Sequence, residues 1–204
     1  MPDYSALKKV VLECERLGFD SAWVYDHLQF TYGPTLECWS LLSALAEATR
    51  RIRIGSLVTC NIYRYPSVLA KMVATVDMIS SGRLNVGIGA CWLQKEALAY
   101  GIPFPRGSER VEMLDEALTI MKQLWTKDEA EFTGKYYSVK KATCLPKPVQ
   151  KPYPPILIGG GGKSMLRVIA KHADAWDIGF STPDEIKGEL VRLREACNEV
   201  GRDP

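Results

Sequence analysis

The sequence predicts an α/β protein built around a parallel sheet. Helical segments with one apolar face alternate along the 204 residues with short apolar runs, which is the pattern of βαβ units. Glycine or polar residues follow several of those runs directly, as expected where strands end at a ligand-binding edge. Residue spacing alone leaves two architectures open, a doubly wound open sheet and a (β/α)8 barrel. Only five strands are recognisable, so the spacing mildly favours the open sheet.

The first part of the chain holds two predicted helices and two predicted strands. Apolar residues at helical spacing over 7–17 predict a helix, which Gly18 ends. The short apolar run 21–25 is predicted to be a strand. A second helix is expected near 37–49, where the apolar residues lie on one face, and the β-branched run 52–58 predicts the next strand.

The middle of the chain continues the alternation. Pro66 suits the first turn of a helix that we expect to continue to Ile79. The run 84–89 predicts a strand that ends in glycine, and the strongly periodic segment 108–125 predicts a long helix. Residues 126–154 are polar, aromatic and rich in proline, so we expect a loop or a hairpin there.

The last part of the chain adds two more strand–helix units. A strand over 155–158 leads through consecutive glycines into a helix over 164–172. A strand over 174–178 follows, and a final helix over 183–200 ends at Gly201. The sequence is therefore predicted to form a single domain.

Charge, hydropathy and cysteine content argue against several classes of protein. The formal net charge is +2 and the basic residues form no stripe, so no nucleic-acid partner is expected. No apolar run approaches the roughly 20 residues of a membrane-spanning helix. The start of the sequence shows no signal-peptide pattern, which makes a cytoplasmic location the default. The 6 cysteines are scattered, so we expect neither a metal site nor a disulfide framework.

Polar residues at the predicted strand ends are the first candidates for chemistry. Asp26 and His27 come just after the first strand, and an imidazole there can move a proton near neutral pH. The competing interpretation is a loop histidine that packs or caps a helix. Asn61 follows the second strand, where a polar side chain either binds a ligand or belongs to a solvated loop.

Glycine-rich stretches follow two later strands. The glycines at 159–162 lie between a strand and a helix, so their amides and the helix start could hold a phosphate. The stretch matches neither GxxxxGK[ST] nor GxGxxG, which argues against an ordinary NTP or NAD site, and a flexible turn is the alternative. The small residues of 87–92 would let a flat ring approach the backbone, although the same glycines could serve packing alone.

The order of these segments resembles the luciferase-like monooxygenase superfamily. The segments that carry the resemblance are 69–84, 87–92, 100–105, 147–152, 154–162, 173–177 and 201–204. The resemblance implies a (β/α)8 TIM barrel of the luciferase-like type, which binds FMN or the deazaflavin F420 at its carboxyl-end face. The run Tyr25–Asp26–His27 is similar to the F420-dependent branch. It implies a hydride-transferring oxidoreductase that uses coenzyme F420 and acts on a small organic substrate.

The same resemblance implies roles for individual residues. Asp26 and His27 would be catalytic, flanking the reactive edge of the ring, with His27 handling the proton. Ser56–Leu57 falls where the family carries a non-prolyl cis peptide that backs the ring. The implied cofactor-binding residues, of which the last three hold the phosphate, are Ser56, Leu57, Asn61, Gly89, Ala90, Cys91, Gly159, Gly160 and Gly161. No metal site is implied.

The chain departs from the family pattern at both ends. The resemblance implies one strand before the first helix and two strands after residue 204, so about five of the eight barrel strands are expected here. We expect a truncated barrel, with completion by a partner chain or a reduced family member as alternatives. Exposed sheet edges lead us to expect association of identical chains. FMN-dependent monooxygenation and non-catalytic flavin binding remain the alternative functions.

Overall fold

The computed structural model describes residues 3–29, 33–179 and 181–204. The strands are β1 (Ser21–Val24), β2 (Arg53–Ser56), β3 (Thr59–Cys60), β4 (Leu84–Gly89), β5 (Ala130–Thr133), β6 (Ser138–Ala142), β7 (Ile156–Gly159) and β8 (Ala175–Asp177). The helices are α1 (Tyr4–Leu17), α2 (Cys38–Ala48), α3 (Pro66–Ile79), α4 (Gln94–Ala99), α5 (Gly107–Thr126), α6 (Lys163–His172) and α7 (Pro183–Val200). The predicted helices and strands are all present, and α4 and a 3₁₀ turn over 61–63 are additions that the sequence did not predict.

The strand order decides between the two architectures left open by the spacing. The sheet runs β1-β2-β4-β7-β8, with β3 also paired to β4, and all of these pairs are parallel. Strands therefore neighbour one another in chain order, with no reversal of direction across the sheet. A doubly wound sheet would reverse its strand order at a switch point, whereas a barrel adds strands in one direction. The sheet is thus a partial barrel, and the open-sheet preference drawn from the strand count was wrong.

The second predicted strand is in fact divided. β2 pairs with the start of β4 and β3 with its end, and Gly55–Thr59 contains one residue more than the facing Asn85–Ile88. The cis peptide bond lies within this bulge, between Leu57 and Val58. The resemblance had placed it one residue earlier, at Ser56–Leu57, so that position was wrong. The bulge turns the chain between the two strands toward the end of the sheet.

Helices α2, α3 and α5 supply most of the apolar core against the sheet. Trp39 and Trp125 are almost fully buried, as their periodic patterns predict, and Trp125 donates from Nε1 to the carbonyl of Ala70 at 3.0 Å. Trp23 on β1 is 36 % exposed and lies outside this core. Burying large aromatic surface is a major source of stability in a domain of this size.

The long connection after α5 forms an antiparallel hairpin of β5 and β6, one of the two possibilities raised for it. Its return toward the sheet is fixed by Asp77 of α3, whose carboxylate accepts from the amide of Gln150 at 3.0 Å and from its Nε2 at 2.7 Å. Asp77 is fully buried, so these bonds satisfy a charge that would be costly to leave unpaired. The connection is consequently held in place before β7 begins.

Two helix ends predicted from glycine are confirmed by the backbone. Gly18 and Gly201 follow α1 and α7 with φ of 86° and 71°, the left-handed conformation that glycine adopts easily. Among the described residues, no helix is long and apolar enough to cross a bilayer.

Candidate functional site

A cleft of about 1020 Å³ opens at the carboxyl ends of the parallel strands. In parallel α/β folds this is the edge where ligands bind, because loops from several strands converge there. Most of the residues implicated by the sequence line it: Asp26, His27, Leu57, Gly89, Ala90, Cys91, Gly159, Gly160 and Gly161. The cleft thus brings together residues separated by more than half of the chain.

Ser56 and Asn61 are the two implicated residues that do not line the cleft. Ser56 is fully buried, and its hydroxyl donates to the carbonyl of Gly87 at 2.7 Å. Asn61 begins the 3₁₀ turn after β3 and is also fully buried. Neither side chain lines the cleft as the structure has it.

His27 is held by a carboxylate that sequence reasoning missed. Its Nδ1 lies 2.7 Å from Oε2 of Glu96, which belongs to the short helix α4. The side chain of His27 is 15 % exposed and that of Glu96 1 % exposed, so the pair has its imidazole toward the cleft and its carboxylate in the interior. The ring also meets Trp92 edge-on, with centroids 5.9 Å apart. This arrangement fixes the orientation of the imidazole.

Glu96 collects further hydrogen bonds that keep it charged. Its Oε1 accepts from the amides of Leu28 and Gln29, the latter at 2.9 Å. Burial would raise the pKa of Glu96, but hydrogen bonds from His27, the Gln29 amide and Tyr63 together hold it below the ordinary value. The pKa of Tyr63 is raised by its burial and by the neighbouring Glu96 charge, so its phenol stays protonated. A buried carboxylate with several donors is a stable anchor for the loop after β1.

Asp26 forms the second buried carboxylate of the site. Its oxygens accept from both terminal nitrogens of Arg64, at 2.6 and 3.0 Å, and from the amide of Cys60 at 3.0 Å. Arg64 also contacts Glu37 at the start of α2. Burial would lower the pKa of Arg64, but Asp26 and Glu37 raise it above its ordinary value. The side chain of Asp26 therefore ties β1 to β3 and α2 through a two-pronged ion pair.

Glycines let the bulge form the floor of the cleft. A Cβ at Gly87 would lie 1.8 Å from the carbonyl oxygen of Ser56, and one at Gly89 would lie 2.9 Å from Val58 Cγ2. A Cβ at Gly159 would come within 3.1 Å of Val58 Cγ1. The side chain of Val58 therefore rests on the bare backbone of β4 and β7. The result is a smooth apolar floor on which a flat ring could lie.

The glycine run after β7 ends at the start of α6. Gly160 and Gly162 have φ of 121° and 90°, which only glycine adopts readily. The N-cap of α6 is Gly162, which has no side chain to accept from the first-turn amides. The ring nitrogen of Trp176 holds the run in place by donating to the carbonyl of Gly160 at 2.7 Å. The amide of Gly160 donates to the carbonyl of Asp177 at 3.1 Å, so an anion would be held by the amides that follow Gly160 and by the positive end of the helix dipole.

The turn after β4 contains a disulfide bond between Cys60 and Cys91, with Cα atoms 4.8 Å apart. This corrects the expectation that all the cysteines would be isolated thiols; in the described part of the chain Cys14, Cys38, Cys144 and Cys197 are free. The spacing of 31 residues gave no signal, since only the pairing of β3 with β4 brings the two strand ends together.

Arg110 of α5 braces the same turn. Its Nε donates to the carbonyls of Ala90 and Cys91, each at 3.2 Å, and its guanidinium lies 3.9 Å from the ring centroid of Phe104. Its function as a brace was not visible because the contact depends on how α5 packs back over the sheet.

A second cleft of about 930 Å³ lies on the outer surface between α5, α6 and α7. It is lined by residues of both charges, including Asp115, Lys171 and Glu199, and lies away from the buried carboxylates described above. The strand-end cleft is the better candidate because the unusual backbone and the buried titratable residues converge there. Within the described ranges no cluster of residues suited to a metal ion occurs.

The fold and the position of the cleft place this chain among the (β/α)8-barrel proteins, which bind ligands at the carboxyl ends of their strands. The model of the luciferase-like monooxygenase family matches residues 1–204, and the chain belongs to that family. An F420-dependent glucose-6-phosphate dehydrogenase of Microbacterium testaceum is 34 % identical over 196 residues, which cover 92 % of this chain and 57 % of that protein.

Solved structures give the same relationship. An F420-dependent secondary alcohol dehydrogenase in complex with an F420–acetone adduct superposes with a TM-score of 0.88 at 27 % identity, covering 98 % of this chain and 62 % of that one. The monooxygenase RslO1 from Streptomyces bottropensis superposes with a TM-score of 0.86 at 25 % identity, covering 98 % and 61 %. The chain thus spans about 60 % of the length of these proteins.

Proposed function

We propose that this chain forms the cofactor-binding part of an F420-dependent oxidoreductase that transfers a hydride to or from a small organic substrate. The observation that carries the proposal is the His27–Glu96 pair at one side of a cleft whose other side is the glycine run before α6. The F420-dependent relatives described above support the choice of cofactor.

The cleft suits a cofactor with a flat ring and a phosphate. The side chain of Val58 packs against the bare backbone of Gly89 and Gly159, which gives an apolar surface against which an aromatic ring system could lie. The glycine run offers backbone amides, and the glycine cap leaves the first amides of α6 without a side-chain acceptor. F420 and FMN both have these two chemical parts, so the residues present fit either one.

When bound, F420 supplies the hydride chemistry, and the protein supplies position and proton handling. Glu96 engages Nδ1 of His27, so proton exchange with a substrate hydroxyl or carbonyl would use Nε2. Asp26 holds β1 and β3 together through Arg64 and thereby positions His27. In this proposal His27 is the catalytic residue, while Asp26 and Glu96 are positioning residues.

The test is a titration of the 204-residue chain with F420 and with FMN, followed by each cofactor's own fluorescence. We expect saturable binding of F420 with a dissociation constant on the order of micromolar, about −8 kcal/mol. Ser164→Asp places a carboxylate in the first turn of α6 and should weaken binding about tenfold or more by repelling the phosphate. Ser67→Asp makes the same change at the start of α3, outside the cleft, and should leave binding unaltered.

The other outcomes separate the alternatives. Binding of FMN in preference to F420 would favour an FMN-dependent monooxygenase, for which the likeness to RslO1 is the supporting observation. Cofactor binding without turnover of any alcohol or aldehyde would favour a non-catalytic flavin-binding protein. No binding of either cofactor by a chain that melts cooperatively would contradict the proposal.

A further inference from the structure

The disulfide between Cys60 and Cys91 lies in the wall of the cleft, where both residues contact the cavity. Cys60 ends β3 and is 5 % exposed, while Cys91 follows β4 and is half-buried. Their Cα atoms are 4.8 Å apart, within the range of about 4.4 to 6.8 Å that a disulfide spans. The disulfide therefore joins the ends of two neighbouring parallel strands, β3 and β4, at the edge of the cleft.

Cys91 occupies a backbone conformation that disfavours it. Its φ is 69°, and Ser81 and Lys141 are the other non-glycine residues of the described chain with positive φ. Glycine would suit this position better, because an L side chain in the left-handed region crowds its own carbonyl. A cysteine used only to fill space gains nothing from such a position. The bond to Cys60 supplies a reason for a thiol there.

The two sulfur atoms also differ in their access to solvent. The backbone of Cys60 is held in the interior, because its amide donates to the buried carboxylate of Asp26. Cys91 lies in the exposed turn that leads to Trp92, which is 68 % exposed. A reagent entering the cleft would therefore reach Cys91 first and leave Cys60 as the departing sulfur.

We propose that Cys60 and Cys91 form a reversible thiol–disulfide exchange site whose co-reactants are low-molecular-weight thiols and their disulfides. A small thiolate attacks Sγ of Cys91, forming a mixed disulfide and releasing Cys60 as a thiolate, which takes a proton from water. A second thiolate attacks the small-molecule sulfur of the mixed disulfide and releases Cys91. The protein disulfide is reduced to two thiols, and two small thiols are oxidised to one disulfide.

The exchange changes the shape of the cleft. The bond fastens the turn after β4 to the end of β3, and that turn leads to Trp92 and to α4, which holds Glu96 against His27. Two unbonded sulfur atoms must stand farther apart than the roughly 2.05 Å of a disulfide. Reduction consequently removes one attachment of the turn and leaves the hydrogen bonds from Arg110, so the disulfide-bonded form is the better organised for binding a ligand.

The first experiment needs no cofactor. The chain is equilibrated in mixtures of reduced and oxidised glutathione, quenched in acid, denatured and alkylated, and the mass is measured. The expected result is a sharp conversion from 6 alkylated cysteines to 4, with the protected pair mapped to Cys60 and Cys91. The proposal is overturned if all cysteines are alkylated in every oxidising mixture, or if the bond resists reduction until the protein unfolds.

Variants keep the result interpretable. Cys91→Gly removes the thiol and suits the local backbone, so it should fold and form no protected cysteine pair in any mixture. Cys14→Ser, in α1 and outside the cleft, should keep the conversion and lower both alkylation counts by one. Fluorescence of Trp92 reports the site directly: reduction should increase emission in the wild type and leave it unchanged in Cys91→Gly and in Trp92→Phe.

A second measurement links exchange to binding and rests on the proposed function. F420 affinity should fall several-fold on reduction of the wild type and should not respond to glutathione in Cys91→Gly. A redox conversion by mass without any F420 binding would overturn the proposed cofactor and leave the exchange site standing. F420 binding that is equal in both redox states would refute the coupling.

Discussion

The chain has 2 histidines, and each is paired with a carboxylate, but the two pairs are buried in opposite senses. In the cleft, Glu96 is buried and the imidazole of His27 lies at the cavity wall. On the helical surface, His172 of α6 is 5 % exposed and Asp115 of α5 is 36 % exposed, with Nε2 and Oδ1 2.6 Å apart. In the cleft the imidazole is therefore the more exposed member of the pair, whereas on the helical surface the carboxylate is.

The difference separates a site from a structural contact. His172 has its other nitrogen, Nδ1, buried with no hydrogen-bond partner in the described part of the chain. Burial lowers the pKa of His172, although Asp115 opposes the effect, so the imidazole stays neutral near pH 7. Glu96, by contrast, is held as an anion by donors from two segments: His27 and Gln29 of the loop after β1, and Tyr63 of the turn after β3. Of the two imidazoles, His27 is therefore the one that lines the strand-end cleft, whereas His172 is buried in a structural contact.

The largest expected effect comes from removing the imidazole in the cleft. His27→Asn should lower turnover by about 100-fold or more, the usual contribution of a general acid or base, while F420 affinity changes only a few-fold. Single-turnover kinetics and fluorescence titration measure the two quantities. His172→Asn is the matched control and should leave both unchanged. Equal losses of turnover in the two variants would show that the two histidines do not differ in function.

The carboxylate of the cleft pair should matter next for stability. Glu96→Gln keeps the shape but replaces the anion that accepts from Leu28 and Gln29, so the free energy of unfolding should fall by about 1–3 kcal/mol. Asp115→Asn, at the half-exposed partner, should cost less than about 1 kcal/mol. Urea denaturation of both variants gives the comparison. A larger loss in Asp115→Asn would show that the outer pair is the more important anchor.

The pair of His172 and Asp115 on the helical surface should make the stability of the protein depend on pH in the acid range. The hydrogen bond from His172, followed by that from Lys171, lowers the pKa of Asp115 from 3.8 to about 2. A depressed carboxyl pKa contributes stability above 3.8, and that stability is lost as the pH falls from 3.8 toward 2. Melting temperatures measured across this interval should fall less steeply in Asp115→Asn than in the wild type. Parallel curves would mean that Asp115 is not a titrating anchor.

The smallest effect is expected from the exposed cation of the outer pair. Lys171 lies 2.8 Å from Asp115 Oδ1, but its side chain is 50 % exposed. Lys171→Ala should change the free energy of unfolding by less than about 1 kcal/mol, as is usual for surface ion pairs. High salt should diminish the effect further. A loss of several kcal/mol, measured by urea denaturation, would show that the outer cluster acts as a unit.

The elements of the fold followed from local patterns, because helix and strand periodicity depend on neighbouring residues. His27 and Gly159 could be placed at the cleft for the same reason, since both follow predicted strands directly. The cis peptide bond of the bulge was expected one residue too early, and Ser56, expected at the cofactor, is buried and donates to the carbonyl of Gly87. A one-residue shift in a strand reverses the face that each side chain occupies.

The residues that contact the predicted site residues could not be predicted from the sequence. Glu96 is separated from His27 by 69 residues and lies on a six-residue helix with too little periodicity to be recognised. Cys60 and Cys91 become neighbours only through the register of β3 with β4. Such contacts are set by tertiary packing, and a single sequence contains no direct record of them.

Gly87 limits which substitutions the strand-end cleft can accept. Even a methyl group there would collide with the carbonyl oxygen of Ser56, which belongs to backbone that cannot move aside without breaking β2 away from β4. A mutant library directed at the cleft should therefore leave the centre of β4 untouched. Room for a larger ligand is better sought at the rim, where the side chain of Leu57 is 40 % exposed.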